Sequence, residues 1–363
     1  MSTQSKPINT TCAPVHLHTP PDSFTTGPPT QALADEKERG KPSVAVLQVL
    51  DAIRCRRRRN RSSLSNSQDY NFAPWQAFQL DAEEYRDLLF QLQGDQELAG
   101  YMEDKVRSDY FPLPGRFILR MPGPIHESFC SLIEEEIWSQ LQAIGEPSAE
   151  FAHQIRKERS TTIKSSNVHC GPHDPDAQFR HRRAKRPGVV VEVSHSQKVR
   201  DLPRLADEYI IGSGGDIGVV VAFDIEYKKS KKATVSVWKP AIELEDGERC
   251  LISRSSTDKK MFRDENGNAI ADDDLRIPLS EFAPQRFWGG LPLLEEIVIP
   301  FHKLYAILVA AEEACAVRKE NSDDESVTTP CTKWRFRHST PEEKLETQDE
   351  NRYRDEEAGL EDG

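Results

Sequence analysis

The sequence predicts an α/β (α+β) fold, with a mixed central β-sheet flanked by helices. Three observations carry this. The stretch GVVVEVS (188–194) is almost wholly β-branched, as in a strand covered on both faces. On either side of it, PIHESFCSLIEEEIWSQLQAIG (124–145) and VRDLPRLADEYI (199–210) repeat apolar residues at helical spacing. Two more strand-like runs follow, IGVVVAFDIEY (217–227) and KATVSVWKP (232–240), joined by a polar turn. Helices alternating with strands in this order build a sheet-and-helix sandwich.

Taken in chain order, residues 1–68 are rich in Pro, Thr, Ser and charge. Such a composition buries too little apolar surface to offset the entropy of ordering, so a disordered basic arm is expected. One interruption, SVAVLQVLDAIRCRRRRNR (43–61), reads as a short amphipathic helix ending in an arginine run. Arg54, Arg56, Arg57, Arg58, Arg59 and Arg61 suit either a nuclear import or nucleic-acid patch or a solvated basic tract. The folded part is expected over 69–318. It opens with a helix at 80–93, acidic in its first turn, and a strand RFILRMP at 116–122. In the helix at 124–145, Ile125, Phe129, Leu132, Ile133, Ile137, Leu141 and Ile144 form one stripe that Gly145 closes. Pro203 fits the first turn of the helix at 199–210, and the run GSGG ends it. MFRDENGNAI (261–270) reads as a turn between strands. LPLLEEIVIPFHKLYAILVAAEEACAVRK (291–319) reads as a final helix kinked at Pro300. From 319 to 363 the chain is acidic and polar, and a disordered tail is expected.

The net charge of -12 is uneven: about +5 over 1–68, about -10 over 69–318 and about -7 over 319–363. An acidic folded region argues against broad electrostatic binding of nucleic acid, but leaves room for a local carboxylate cluster that takes a cation. No apolar run is long enough for a membrane span and no secretory leader pattern is present. With seven scattered cysteines, the expectation is a nuclear or cytoplasmic protein with free thiols, not a secreted one. His169, Cys170 and His173 lie close in sequence but lack a second pair at zinc spacing, and read as loop.

Glu192 interrupts the most strand-like run in the chain. A charge there is unfavourable unless paired or bound to a cation. In HDPDAQF (173–179), Asp176 precedes an apolar-aromatic segment that could be a neighbouring strand. Two such acids on adjacent strands repel each other, and a divalent cation relieves the repulsion. With water positions left open, this is the footing for metal-assisted hydrolysis of phosphodiesters.

Pro175-Asp176, the strand with Glu192, a helix ending near Tyr209 and the strand VVVAFDIEY together resemble the PD-(D/E)XK, or restriction-endonuclease-like, nuclease superfamily over about residues 116–240. The stretch is also similar to a group of uncharacterised filamentous-fungal proteins. The resemblance implies a Mg²⁺- or Mn²⁺-dependent DNA nuclease, with Asp176 and Glu192 as metal ligands and the carbonyl of Val193 completing the set. The helix at 124–145 matches the family's first helix, which often adds an acid, with Glu127 the best placed and Glu134 second. The family's lysine normally stands two residues after the glutamate, where this chain has Ser194. In some relatives the cation moves to the next helix, and of Gln197, Lys198, Arg200 and Arg204 the choice is Lys198. The link RHRRAKR supplies Arg180, Arg182, Arg183, Lys185 and Arg186, which could grip a phosphate backbone if it lies beside the site, or else form a solvated loop. His195 should face away from the site. Asp224 reads as a strand-end residue sooner than a second acid. The departure at Ser194 keeps a second class open: a catalytically inactive nuclease-fold module that acts by interaction.

Overall fold

The computed structural model describes residues 41–61, 75–194, 201–226 and 230–323. Of the arms expected at 1–68 and 319–363, residues 1–40, 62–68 and 324–363 lie outside it, as do His195, Gln197, Lys198, Arg200 and Tyr227. Among the described residues no helix is long and apolar enough to cross a membrane.

The centre is a six-stranded sheet in the order β4-β5-β6-β7-β8-β9. Its strands are Ile155–Lys157, Ala177–His181, Val189–Ser194, Val219–Ile225, Ala233–Glu245 and Glu248–Arg263. Only β6 and β7 pair in parallel; every other ladder is antiparallel. A parallel pair needs a crossover, and the helix Leu202–Gly212 supplies it, with Pro203 in its first turn as expected. We label it α6, after α1 (Val44–Arg61), α2 (Ala82–Gln93), α3 (Gln96–Lys105), α4 (Pro124–Ala143) and α5 (Ala149–Ala152), and before α7 (Phe301–Asp323).

Strand periodicity sorts the layers. Val189, Val191 and Val193 of β6, with Val219, Val221 and Phe223 of β7, face Phe129, Ile133 and Ile137 of α4 and Leu304 and Leu308 of α7. Val190, Val220 and Ala222 face the opposite way, against Leu205, Ala206 and Tyr209 of α6. A separate sheet of β1 (Trp75–Gln79), β3 (Arg116–Arg120) and β2 (Arg107–Phe111) lies beyond α6's side. Its strand β3 turns Phe117 and Leu119 into a third core and Ile118 towards α6. The segment 171–174 ties the two sheets together. Tyr110 N–H donates to Pro172 O at 3.1 Å, and Asp174 N–H to Ser108 O at 3.0 Å. Gly171 is needed there, because a Cβ would lie 1.8 Å from Tyr110 O.

Two expectations change, and one strand appears that none of them covered. The helix at 43–61 is no isolated island in an unstructured arm. Its Val46, Val49, Leu50 and Ile53 are buried against Leu80, Leu88, Leu92 and Leu98, so ordered structure begins before residue 69. Residues 291–300 are not helical: Glu296–Pro300 is β11, paired with β10 (Asp274–Pro278), and Pro300 marks the junction to α7 in place of a kink. Lastly, Glu248–Arg263 forms a long edge strand that the sequence hides, since most of its residues face solvent and leave no apolar alternation to read.

Candidate functional site

The site begins with a register. Ala177 pairs with Val191 across the antiparallel β5–β6 ladder, so Asp176, one residue before β5, comes beside Glu192. Both are buried, Asp176 at 3% and Glu192 at 0% exposure. The two acids meet on one side of the sheet without apolar side chains between them, because both contact the same guanidinium. Arg120 Nη1 lies 3.0 Å from Asp176 Oδ1 and 3.7 Å from Glu192 Oε2. The first distance is a charge-assisted hydrogen bond; the second is ionic contact only.

Arg120 arrives by strand alternation: in β3 it shares with Arg116 and Ile118 the face turned from the third core. Its Nε lies 2.7 Å from Asp109 Oδ2 of β2, and its Nη2 donates to Asp109 Oδ1 at 3.2 Å and to the Asp174 carbonyl. Burial alone would pull the guanidinium's pKa down. Asp109, Asp176 and Glu192 more than reverse this and hold it well above its ordinary value.

The rest of Asp176 is engaged as well. Arg107 Nη1 donates to Oδ1 at 2.8 Å, and Val193 N–H donates to Oδ2 at 2.7 Å. His126, in the first turn of α4, places Nε2 3.2 Å from Asp176 Oδ2 and 3.0 Å from Val193 O. A carbonyl only accepts, so Nε2 carries the proton. Tyr209 of α6 donates its hydroxyl to Glu192 Oε1 at 2.7 Å; burial first, and then the Glu192 charge, push that phenol well above its usual range. Behind Asp109 stands a buried imidazole. His173 Nδ1 is 3.3 Å from Asp109 Oδ1 and its Nε2 is 2.9 Å from Glu208 Oε2 of α6. Burial opposes the charged ring, but the two carboxylates outweigh it and raise its pKa.

Of the residues expected in the site, Asp176, Glu192 and Val193 come together. Glu127 does not join them directly: half-exposed, it meets Arg107 Nη2 at 3.0 Å and reaches Asp176 only through that arginine. Its neighbour His126 takes the position instead. Lys198 lies outside the described residues. Ser194 is fully buried, its Oγ has no hydrogen-bond partner among the described residues, and it pairs in register with Asp224 on β7. Asp224 Oδ1 is likewise without a partner among the described residues, and burial, then Glu226, raise its carboxyl to about 6 against Lys259 and Lys232.

The basic link is not beside the site. It forms the β5–β6 turn, and Asp176 stands at the other end of a five-residue strand, roughly 17 Å away at strand rise. Arg180 is tied to Glu158 and the Ala184 carbonyl, and Arg186 to Gly212 O. Arg182, Arg183 and Lys185 are exposed.

Would these residues suit a divalent cation? Two carboxylates and a carbonyl are hard oxygen donors of the right kind. Asp176 Oδ1 and Glu192 Oε2 converge on one point, and Asp176 Oδ2 and Val193 O on another. Protein nitrogens stand at both points. No group of three or more His, Cys, Asp or Glu side chains is gathered as a metal site among the described residues. The donor set therefore fits in kind, with Arg120 the group a metal at the first point must displace and His126 the group at the second.

The molecule is thus a mixed α/β protein with a buried carboxylate–guanidinium junction where its small sheet meets the end of the β5–β6 ladder. No family model, no curated protein and no solved structure matches the chain.

Proposed function

We propose that the chain is a divalent-metal-dependent hydrolase of DNA phosphodiester bonds on a restriction-endonuclease-like core. The observation that carries this reading is that Asp176, with Glu192 beside one of its carboxylate oxygens and the Val193 carbonyl beside the other, stands at the end of two paired strands. The element order supports it: a long helix, three antiparallel strands, a helix, then a strand parallel to the third. Asp176, Glu192 and Val193 O would hold Mg²⁺ or Mn²⁺, which when bound polarises a phosphoryl oxygen and makes water nucleophilic near neutral pH. His126 and the Val193 amide fix the rotamer of Asp176, and Tyr209 fixes that of Glu192. Arg107 and Arg120 are the cations within reach of developing phosphate charge.

One observation favours a second reading. Arg120 Nη1 already sits between the two acids, which suits a silent scaffold whose guanidinium stands permanently in the cation's place. Incubation of labelled DNA with the full chain and Mg²⁺ or Mn²⁺ separates the two. The hydrolase reading expects cleavage that EDTA stops and that Asp176→Asn and Glu192→Gln abolish while the melting transition stays cooperative. No cleavage by the wild type, or equal cleavage by these variants, leaves the silent scaffold.

A further inference from the structure

The expected phosphate-binding loop lies at the wrong end of its hairpin, so a polynucleotide needs another surface. A cleft of about 890 Å³ opens between the end of α3 with the start of β2 and the segment 158–164. Arg107 lies on its wall and hydrogen-bonds Asp176, which places the cleft one side chain from the candidate metal ligand. We infer that this cleft holds the phosphate backbone of a DNA strand, gripped by Lys105, Arg159 and Lys164. The inference rests on the hydrolase reading and supplies the substrate path that the reading lacks.

The lining is mixed in sign, so what matters is which charges are already engaged. Glu127 is paired with Arg107, and Glu158 with Arg180. Asp174 accepts from the Ser108 amide and hydroxyl and from Thr162, and burial raises its pKa in spite of those bonds. Glu103 and Asp104 remain, both on the last turn of α3 beside Lys105. Lys105, Arg159 and Lys164 are exposed, and none has an ion-pair partner among the described residues. Their heads are thus available to phosphate oxygens.

The wall is also fixed to the catalytic strand. The buried amide of Gln178, two residues after Asp176 in β5, donates to Thr161 O at 2.6 Å, and Glu158 N–H donates to Gln178 O at 3.1 Å. Between these anchors Arg159 holds a left-handed backbone, φ 50°, a conformation rare for a residue with a side chain. Such conformations persist where the surroundings over-determine them, often at functional sites. A strand lying in the cleft would pass Arg159 and Lys164 and present a phosphate to Arg107.

Fluorescence anisotropy with short labelled single-stranded and duplex DNA, in EDTA so that nothing is cut, tests this on the full chain. Arg159→Glu/Lys164→Glu should weaken binding by at least about ten-fold and make the plot of log Kd against log salt shallower by about two. Arg182→Glu/Arg183→Glu, at the far turn, should stay within about two-fold of the wild type. The milder Arg159→Gln/Lys164→Gln guards against misfolding and should fall between. Cleft variants that bind like the wild type, a loss carried by the far-turn pair, or no binding by the wild type at low salt would overturn the inference. Cleavage scored separately with Asp176→Asn keeps the two readings apart: DNA held by the cleft but never cut sinks the hydrolase alone, whereas cutting that survives cleft reversal with unchanged affinity sinks the cleft alone.

Discussion

One hairpin carries two opposite treatments of charge. At the start of β5 and along β6, Asp176 and Glu192 are buried and held by Arg107, Arg120, His126, Tyr209 and a backbone amide. At the turn between the same strands, Arg182, Arg183 and Lys185 stand in solvent. The difference teaches that burial, more than charge density, makes an ionic group specific. A solvated cation is already satisfied by water and is screened. A buried one must be matched, and removing its partner leaves the full desolvation penalty behind.

The largest expected effect follows from that asymmetry. Arg120→Met leaves Asp109, Asp176 and Glu192 without the guanidinium they share and should destabilise the protein by about 3–5 kcal/mol in urea unfolding. Arg120→Met/Asp176→Asn should cost less than the two single changes together, because they belong to one network. Millimolar Mg²⁺ sharpens the result. If the acids take a divalent cation, it should restabilise Arg120→Met more than the wild type, since the metal no longer competes with the guanidinium. A loss below about 1 kcal/mol would mean that burial is not what makes this end of the hairpin special.

The sequence discloses the two ends unequally. Glu192 is conspicuous because a carboxylate breaks a run of valines, and Asp176 because it precedes a strand at the right distance. The helix at 199–210 and the two strands it joins are legible from periodicity, because buried elements carry apolar patterns; that the strands run parallel is what the structure adds. Arg120 is not legible. It closes RFILR as an ordinary flanking cation, and only the packing of β3 on the larger sheet turns it inwards. His126 and Glu127 are adjacent, and which of two helix faces about 100° apart meets Asp176 is decided by how α4 is rotated on the sheet. The basic turn misleads because adjacency in sequence to both acids suggests adjacency in space, whereas an antiparallel hairpin sends its turn to the far end. Glu248–Arg263 is hidden because a solvent-facing edge strand has no need of apolar alternation.

Asp224 falls between the two extremes and gives the second test. It is partly buried, its Oδ1 has no partner among the described residues, and its folded pKa of about 6 lies above the unfolded carboxylate value. The folded state therefore holds the proton more tightly, and stability falls as pH rises from about 4 through 6. Asp224→Asn removes the charge. It should be more stable than the wild type above pH 6 by about 1 kcal/mol, a figure reduced for partial exposure, with the difference vanishing near pH 4. Paired urea titrations at the two pH values measure it. An unchanged difference would mean that Asp224 is as well solvated as the far turn, and would erase the intermediate case.

The smallest effect belongs to that turn. Arg182 makes no hydrogen bond through its side chain among the described residues, while Arg183 lies 5.7 Å from the Phe287 ring centre. An exposed cation–π contact of this kind is worth about 0.5–1 kcal/mol at most, and a solvated arginine close to nothing. Arg182→Ala/Arg183→Ala should therefore move unfolding by no more than about 0.5–1 kcal/mol, all of it through Arg183, and Arg183→Lys should recover part. Arg182→Ala alone should be silent. A loss above about 2 kcal/mol from the pair would place a buried partner at this end too, and the contrast between the two ends of the hairpin would no longer be one of burial.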